Sequence, residues 1–209
     1  MKIEIKRMVL GPVQTNVYYV INPETKECVI LDPADNAPRI RMAVNKLGVT
    51  PVAILLTHGH FDHIDAADEV RKMFDIKIYA LDKEQETLAD PYLNGDARFY
   101  RKHLSISADV WLHDGEMLDF LGEKWKVIWT PGHTEGSCCY YIEEEKVLFA
   151  GDTLFQASFG RYDMPGGCFT DLQKSLKEKL FLLPDDVVVF PGHMEETTIG
   201  FEKRYNPIL

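Results

Sequence analysis

Residues 57–63 read Thr57-His58-Gly59-His60-Phe61-Asp62-His63. Imidazoles and a carboxylate packed this closely are costly unless something neutralises and orders them. A divalent metal ion does both. The motif follows an apolar run, Val52-Ala53-Ile54-Leu55-Leu56, that reads as a buried strand. The arrangement recurs. Residues 126–129 read as a strand before Thr130-Pro131-Gly132-His133. Residues 147–150 do so before Gly151-Asp152-Thr153, and residues 187–190 before Pro191-Gly192-His193. Each time an apolar run stops, a His or Asp follows at once. Strand ends and the loops after them are where folds present functional groups. Strands sharing one edge would bring all four segments together. Of the seven histidines, His103 and His113 alone lie outside these segments, and both read as ordinary surface or packing residues.

The ligand-type residues are His58, His60, Asp62, His63, His133, Asp152 and His193. They are too many for one tetrahedral ion, so the set points to two. Strict alternation along an extended chain would group residues 58, 60 and 62 on one face. Gly59 marks a loop, where alternation need not hold.

The elements that must position these residues can be read coarsely. Residues 2–9, 17–21 and 27–31 read as strands, with turns at Gly11-Pro12 and Asn22-Pro23. Residues 37–47 have helical spacing, stopped by Gly48. After the first motif come a helix over 65–74, a strand over 76–80 and a helix over 82–88. Residues 91–107 read as irregular. Strands return from Trp111, over 117–120, 124–129, 139–142 and 147–150. Residues 171–182 form an amphipathic helix with Thr170 as its expected cap. A strand over 187–190 and a short helix end the chain. Strands and helices mix without strict alternation, and the strand-rich blocks fall in two halves. That suits two sheets with helices outside.

At 209 residues the chain fits one domain, residues 1–209, and 45% hydrophobic content is ample for a core. The formal net charge of -10 argues against a nucleic-acid partner, since phosphate binding needs a basic face. No apolar stretch approaches the ~20 residues of a membrane span. Residues 1–6 alternate like a first strand and do not read as a signal peptide. Cys28, Cys138, Cys139 and Cys168 form no C-x-x-C, so no disulfide framework is expected and the natural compartment is a reducing cytoplasm. Cys168 has no His beside it in sequence and reads as structural.

The order H-x-H-x-D-H, then a distant His, a distant Asp and a distant His, resembles the metallo-β-lactamase fold superfamily. Gly151-Asp152-Thr153-Leu154-Phe155 with Gly160-Arg161 resembles its glyoxalase II (hydroxyacylglutathione hydrolase) branch. The ending from Glu196 to Lys203, with Asn206-Pro207, is similar to the short members of that branch. Glu135 departs from the usual proline, and Met194-Glu195 from the usual residues after the last histidine. The resemblance implies an αββα sandwich of two mixed sheets. It assigns His58, His60 and His133 to one metal, and Asp62, His63 and His193 to a second, with Asp152 bridging. It implies zinc, with iron or manganese as alternatives.

Two such metals ~3.5–4 Å apart can hold a hydroxide, and a bound water's pKa falls to about 7. The implied reaction is hydrolysis of a small-molecule acyl thioester, with Asp62 and Asp152 in the catalytic centre. Arg161 is the candidate for holding an anionic substrate group, and Tyr162 a weaker one. Asp32, after the strand over 27–31, reads either as a partner that orients a ligand imidazole or as a turn residue before Pro33. Other readings are a persulfide dioxygenase holding one iron by His58, His133 and Asp152, a lactonase, and a metal-binding protein without catalysis. The resemblance disfavours a β-lactamase, because the Asp152 position is not normally aspartate in that branch. The helical C-terminal region that grips glutathione in full-length glyoxalase II has no counterpart after His193. The oligomeric state is left open.

Overall fold

The computed structural model describes residues 2–209; Met1 lies outside the described residues. Six strands form the first sheet in sequence order. They are β1 (Glu4–Leu10), β2 (Thr15–Ile21), β3 (Glu27–Leu31), β4 (Thr50–Leu55), β5 (Lys77–Leu81) and β6 (Val110–Leu112). β1, β2 and β3 run antiparallel, and β3 to β6 run parallel. The three parallel connections need crossovers, supplied by α1 (Ala37–Leu47), by α3 (Ala67–Phe74) and by the stretch 82–109.

The second sheet uses β7 (Met117–Phe120), β8 (Glu123–Trp129), β9 (Cys138–Ile142), β10 (Val147–Gly151), β13 (Val188–Pro191) and β14 (Thr197–Thr198). Its order is β14-β13-β10-β9-β8-β7. A small hairpin, β11 (Leu154–Phe155) with β12 (Ser158–Phe159), stands apart from both sheets.

Period-two alternation explains the layers. Tyr18, Val20, Val29, Leu31, Ala53 and Leu55 point inward and meet Trp125, Val127, Tyr140 and Phe149 of the other sheet. Their neighbours Val17, Tyr19, Ile30 and Ile54 point outward, against Ile40 and Val44 of α1 and Val70 of α3. On the far side Leu148, Ala150 and Val189 pack against Leu172, Leu176 and Leu180. Both faces of the central strands are covered, which is why they read as unbroken apolar runs. The result is the αββα sandwich of two mixed sheets. Among the described residues no helix is long and apolar enough to cross a membrane.

Several local expectations change. The helix expected over 65–74 is two: α2 (Phe61–Ile64) begins inside the first motif, and α3 follows after a turn. Residues 82–84 form a 3-10 turn leading into α4 (Gln85–Ala89), and the irregular stretch 91–107 contains α5 (Asp96–Phe99). The helix expected over 171–182 starts earlier, as α6 (Phe169–Lys174), and continues as a π turn and a 3-10 turn to Leu182. Cys168, not Thr170, is its cap. Leu172 N–H already bonds Cys168 C=O at 3.0 Å, which puts Thr170 inside the first turn.

Candidate metal centre

Strand direction gathers the ligand segments. β3 and β4 are parallel, so Asp32 and the loop from Thr57 leave the first sheet at one edge. In the second sheet β9 is antiparallel to both β8 and β10, and β10 is parallel to β13. Strands β8, β10 and β13 therefore all end on one side, delivering His133, Asp152 and His193 together. Backbone bonds lock the two edges to each other, Cys138 N–H to Thr57 C=O at 2.8 Å and Asn16 N–H to Gly192 C=O at 2.7 Å, while Gly192 N–H to Gly151 C=O at 2.8 Å ties the ends of β13 and β10 within the second sheet. The buried hydroxyls of Tyr140 and Tyr18 donate to Leu56 C=O and Pro191 C=O, each at 2.7 Å.

The side chains then fall into overlapping groups. His58, His60 and His133 present ligand atoms within 4.8 Å of one another, and so do Asp62, His63 and His193. His60 Nδ1 lies 2.8 Å from His133 Nε2, and His63 Nε2 lies 3.3 Å from His193 Nε2. Asp152 reaches both groups: Oδ1 is 3.3 Å from His63 Nε2, while Oδ2 is 3.6 Å from His133 Nε2 and 3.4 Å from His193 Nε2. His58 Nε2 and His60 Nε2 are buried without a hydrogen-bond partner. Buried polar atoms left unmatched are expensive. Converging nitrogens plus unmatched ones fit a divalent-metal site better than a hydrogen-bonded core.

The protonation pattern agrees. Burial, reinforced by the neighbouring imidazoles, lowers the pKa of His58 well below its ordinary value and that of His60 to about 3, so both are neutral and able to ligate. Burial also dominates at His133 and lowers it. Burial opposes charge on His63 and His193, but the carboxylates outweigh it: His63 is raised well above its ordinary value and His193 to about 10. Burial likewise opposes charge on Asp62 and Asp152, yet the histidines hold Asp62 down at about 2 and Asp152 well below the usual carboxylate range. Protons on His63 and His193 balance the two carboxylates, a place that divalent cations would take on binding.

Partners behind the ligands fix which nitrogen each presents. His63 Nδ1 bonds Asp32 Oδ2 at 3.0 Å, leaving Nε2 for the centre. Asp32 also accepts from Thr57 N at 2.8 Å and Thr57 Oγ1 at 2.7 Å. Because that hydroxyl donates to Asp32, it accepts from His58 Nδ1 at 3.1 Å. His133 Nδ1 donates to Arg161 C=O at 2.7 Å. Of the two readings of Asp32, the bond to His63, a candidate ligand, matches the partner of an imidazole.

A match to the model of the Metallo-beta-lactamase superfamily runs over residues 10–193, most of the chain. The chain belongs to that superfamily. Among solved metallo-beta-lactamase folds, the BLEG-1 B3 metallo-beta-lactamase superposes with a TM-score of 0.93 at 43% identity, covering 99% of each chain. TTHA1623 in a di-iron-bound form superposes with a TM-score of 0.83 at 35% identity, covering 98% of this chain and all of its own. The hydroxyacylglutathione hydrolase GloC of Haemophilus influenzae is 35% identical over 188 residues, 89% of each chain. A β-lactamase and a hydroxyacylglutathione hydrolase thus both stand among the proteins this chain resembles.

The metallo-beta-lactamase centre opens into a cleft of ≈ 590 Å³, lined by His60, Asp62, His133, Asp152, His193 and Arg161 with apolar neighbours. Arg161 reaches the cleft, but its guanidinium is engaged by the Asp163 carboxylate, Nε to Oδ1 at 2.8 Å and Nη2 to Oδ2 at 2.9 Å. Tyr162 is outside the lining residues and packs on Phe169. His103 and His113 lie away from the centre, the latter paired with Asp82. All four cysteines are free, three of them buried, and Cys168 is exposed outside the cleft lining.

Some positioning residues give no signal in the sequence. Thr15 donates to Asp62 Oδ2 at 2.9 Å. Glu84 is buried and accepts from Gly59 N at 2.7 Å and Thr134 Oγ1 at 3.0 Å, tying the first ligand loop to the one carrying His133. Burial raises its pKa to about 7 against the pull of those donors. Two glycines allow close approach. A Cβ on Gly192 would sit 2.2 Å from Asp152 Oδ1, and one on Gly160 1.7 Å from Asp152 C=O.

Proposed function

We propose that this protein is a metal-dependent thioester hydrolase of the hydroxyacylglutathione hydrolase type. The observation that carries it is Asp152, whose carboxylate reaches both groups of ligand atoms. His58, His60 and His133 would hold one ion, and Asp62, His63 and His193 a second, with Asp152 shared. Two bound divalent ions supply a water acidified to near neutrality and a Lewis acid for the carbonyl. Zinc suits the histidine–carboxylate set, and iron and manganese suit it too. The chain's own work is orientation. Asp32 and Thr57 fix the rings of His63 and His58, Arg161 C=O fixes His133, and Thr15 holds Asp62. Likeness to GloC supports the thioester as the bond cleaved. The buried free cysteines suit a reducing cytoplasm.

The second reading is β-lactam hydrolysis, which the likeness to BLEG-1 supports. Metal-loaded protein should release free thiol from a simple thioester and leave a chromogenic β-lactam far less affected. It should consume no oxygen with glutathione persulfide. A faster β-lactam reaction, or oxygen uptake, would overturn the proposal.

A further inference from the structure

The substrate can be narrowed, on the footing that the thioester-hydrolase reading holds. Away from the ligands, the cleft is walled by Val13, Phe99, Phe155, Phe159, Met164 and Met194. Val13, Phe99 and Met194 are 46%, 46% and 57% exposed. A lone exposed apolar side chain needs no explanation. These come from three separate segments, the turn after β1, α5 and the loop after His193, and converge on one concave site. That pattern marks a binding wall.

The polar lining residues that are not ligands are Gln14, Ser158 and Arg161. Arg161 is the one cation of the lining, and the Asp163 carboxylate takes its Nε–Nη2 edge. An incoming carboxylate on the remaining Nη1 side would share the guanidinium with the negative charge of Asp163, two residues away on the same loop. Arg98, next along the rim, lines the adjacent cavity beyond Met164 together with Asp163. Glutathione brings two carboxylates, and this wall offers them a single cation, already shared with Asp163.

We infer that the cleft takes a thioester with an uncharged, apolar, medium-chain acyl group, on a thiol that needs no carboxylate anchor. Hydrolysis adds water across the C–S bond. The acyl carbon gains a C–O bond, the sulfur leaves with a proton, and a carboxylic acid and a free thiol result.

The test compares acetyl, butanoyl and hexanoyl thioesters of N-acetylcysteamine with S-lactoylglutathione, using metal-loaded protein. A fully buried methylene is worth roughly fourfold in binding, and this cleft is open on one side, so kcat/KM should rise roughly ten- to hundredfold from acetyl to hexanoyl. Hexanoyl should also exceed S-lactoylglutathione. Met194→Ser and Val13→Ser should flatten the chain-length series, and being exposed they should leave folding intact. Asp163→Asn should free Arg161 and raise S-lactoylglutathione turnover about tenfold relative to hexanoyl. A flat series with S-lactoylglutathione preferred tenfold or more overturns the inference and leaves the hydrolase reading standing. No turnover of any thioester overturns both.

Discussion

Asp152 is the residue on which both ligand groups converge, its Oδ2 near His133 of one and His193 of the other. Asp152→Asn removes the charge and one anionic oxygen while keeping the shape. We expect thiol release to fall at least a hundredfold and bound metal to drop, with the far-ultraviolet circular dichroism unchanged; metal analysis beside a rate measurement checks it. Glu84→Ala should act from a distance. It leaves the Gly59 amide buried without its acceptor, and Thr134 Oγ1 with Ser137 Oγ alone. Such a loss costs about 1–3 kcal/mol. Denaturant melts should show that loss, and the metal should be released at lower chelator concentration than from the wild type. Equal metal retention would show that Glu84 supports the loop without shaping the site. At this scale the ligand-type residues were legible because each follows an apolar run and a turn. Glu84 and Thr15 were not: a single Glu in Asp82-Lys83-Glu84 and a Thr in Gln14-Thr15-Asn16 look like any surface polar residue. Only burial and a partner distant in sequence give them a role.

The hairpin of β11 and β12 supplies Phe155, Ser158 and Phe159 to the cleft and is held from outside by α7 (Ile199–Tyr205). Glu202, fully buried, accepts from Ala157 N at 3.1 Å and from Thr197 Oγ1 at 2.6 Å, and Asn206 Nδ2 donates to Ser158 C=O at 2.8 Å. The C-terminal stretch thus braces one wall of the site. Glu202→Ala should loosen that wall: the Ala157 amide should lose hydrogen-exchange protection, and KM should rise several-fold while kcat changes less. An unchanged exchange rate would contradict the bracing role. The alternating and buried strands were legible because their apolar runs match the pleat. The hairpin was not, since two-residue strands carry no periodicity. The helix expected over 171–182 kept its buried face through Leu172, Leu176 and Leu180, but its hydrogen bonding widens at 175–179. That change depends on packing, including Ser175 Oγ bonded to Pro131 C=O at 2.8 Å.

At the scale of the whole molecule, two sheets facing each other put five strand ends around one acidic centre. This links stability to pH and metal. In chelator-treated protein His193, raised from 6.5 to about 10, is a group whose folded pKa exceeds its unfolded one. Its contribution is full below pH 6.5 and is lost as pH rises toward 10. Thermal melts of the chelated protein should therefore fall across that window, and metal uptake, which must displace the proton, should strengthen across it. A chelated protein whose Tm stays level or rises from pH 6.5 to 10 would contradict this. The sandwich itself was legible from strands falling in two halves. What fixes the centre is strand direction, which no local pattern shows. The central claim is that two ions, held by seven side chains with Asp152 shared, make the hydrolase. The most direct measurement is thioester hydrolysis by chelated protein titrated with zinc, and in parallel with iron(II) and manganese(II). Activity should climb to a plateau at two equivalents per chain. A plateau at one equivalent, or no activity at two with any of these ions, would contradict the account.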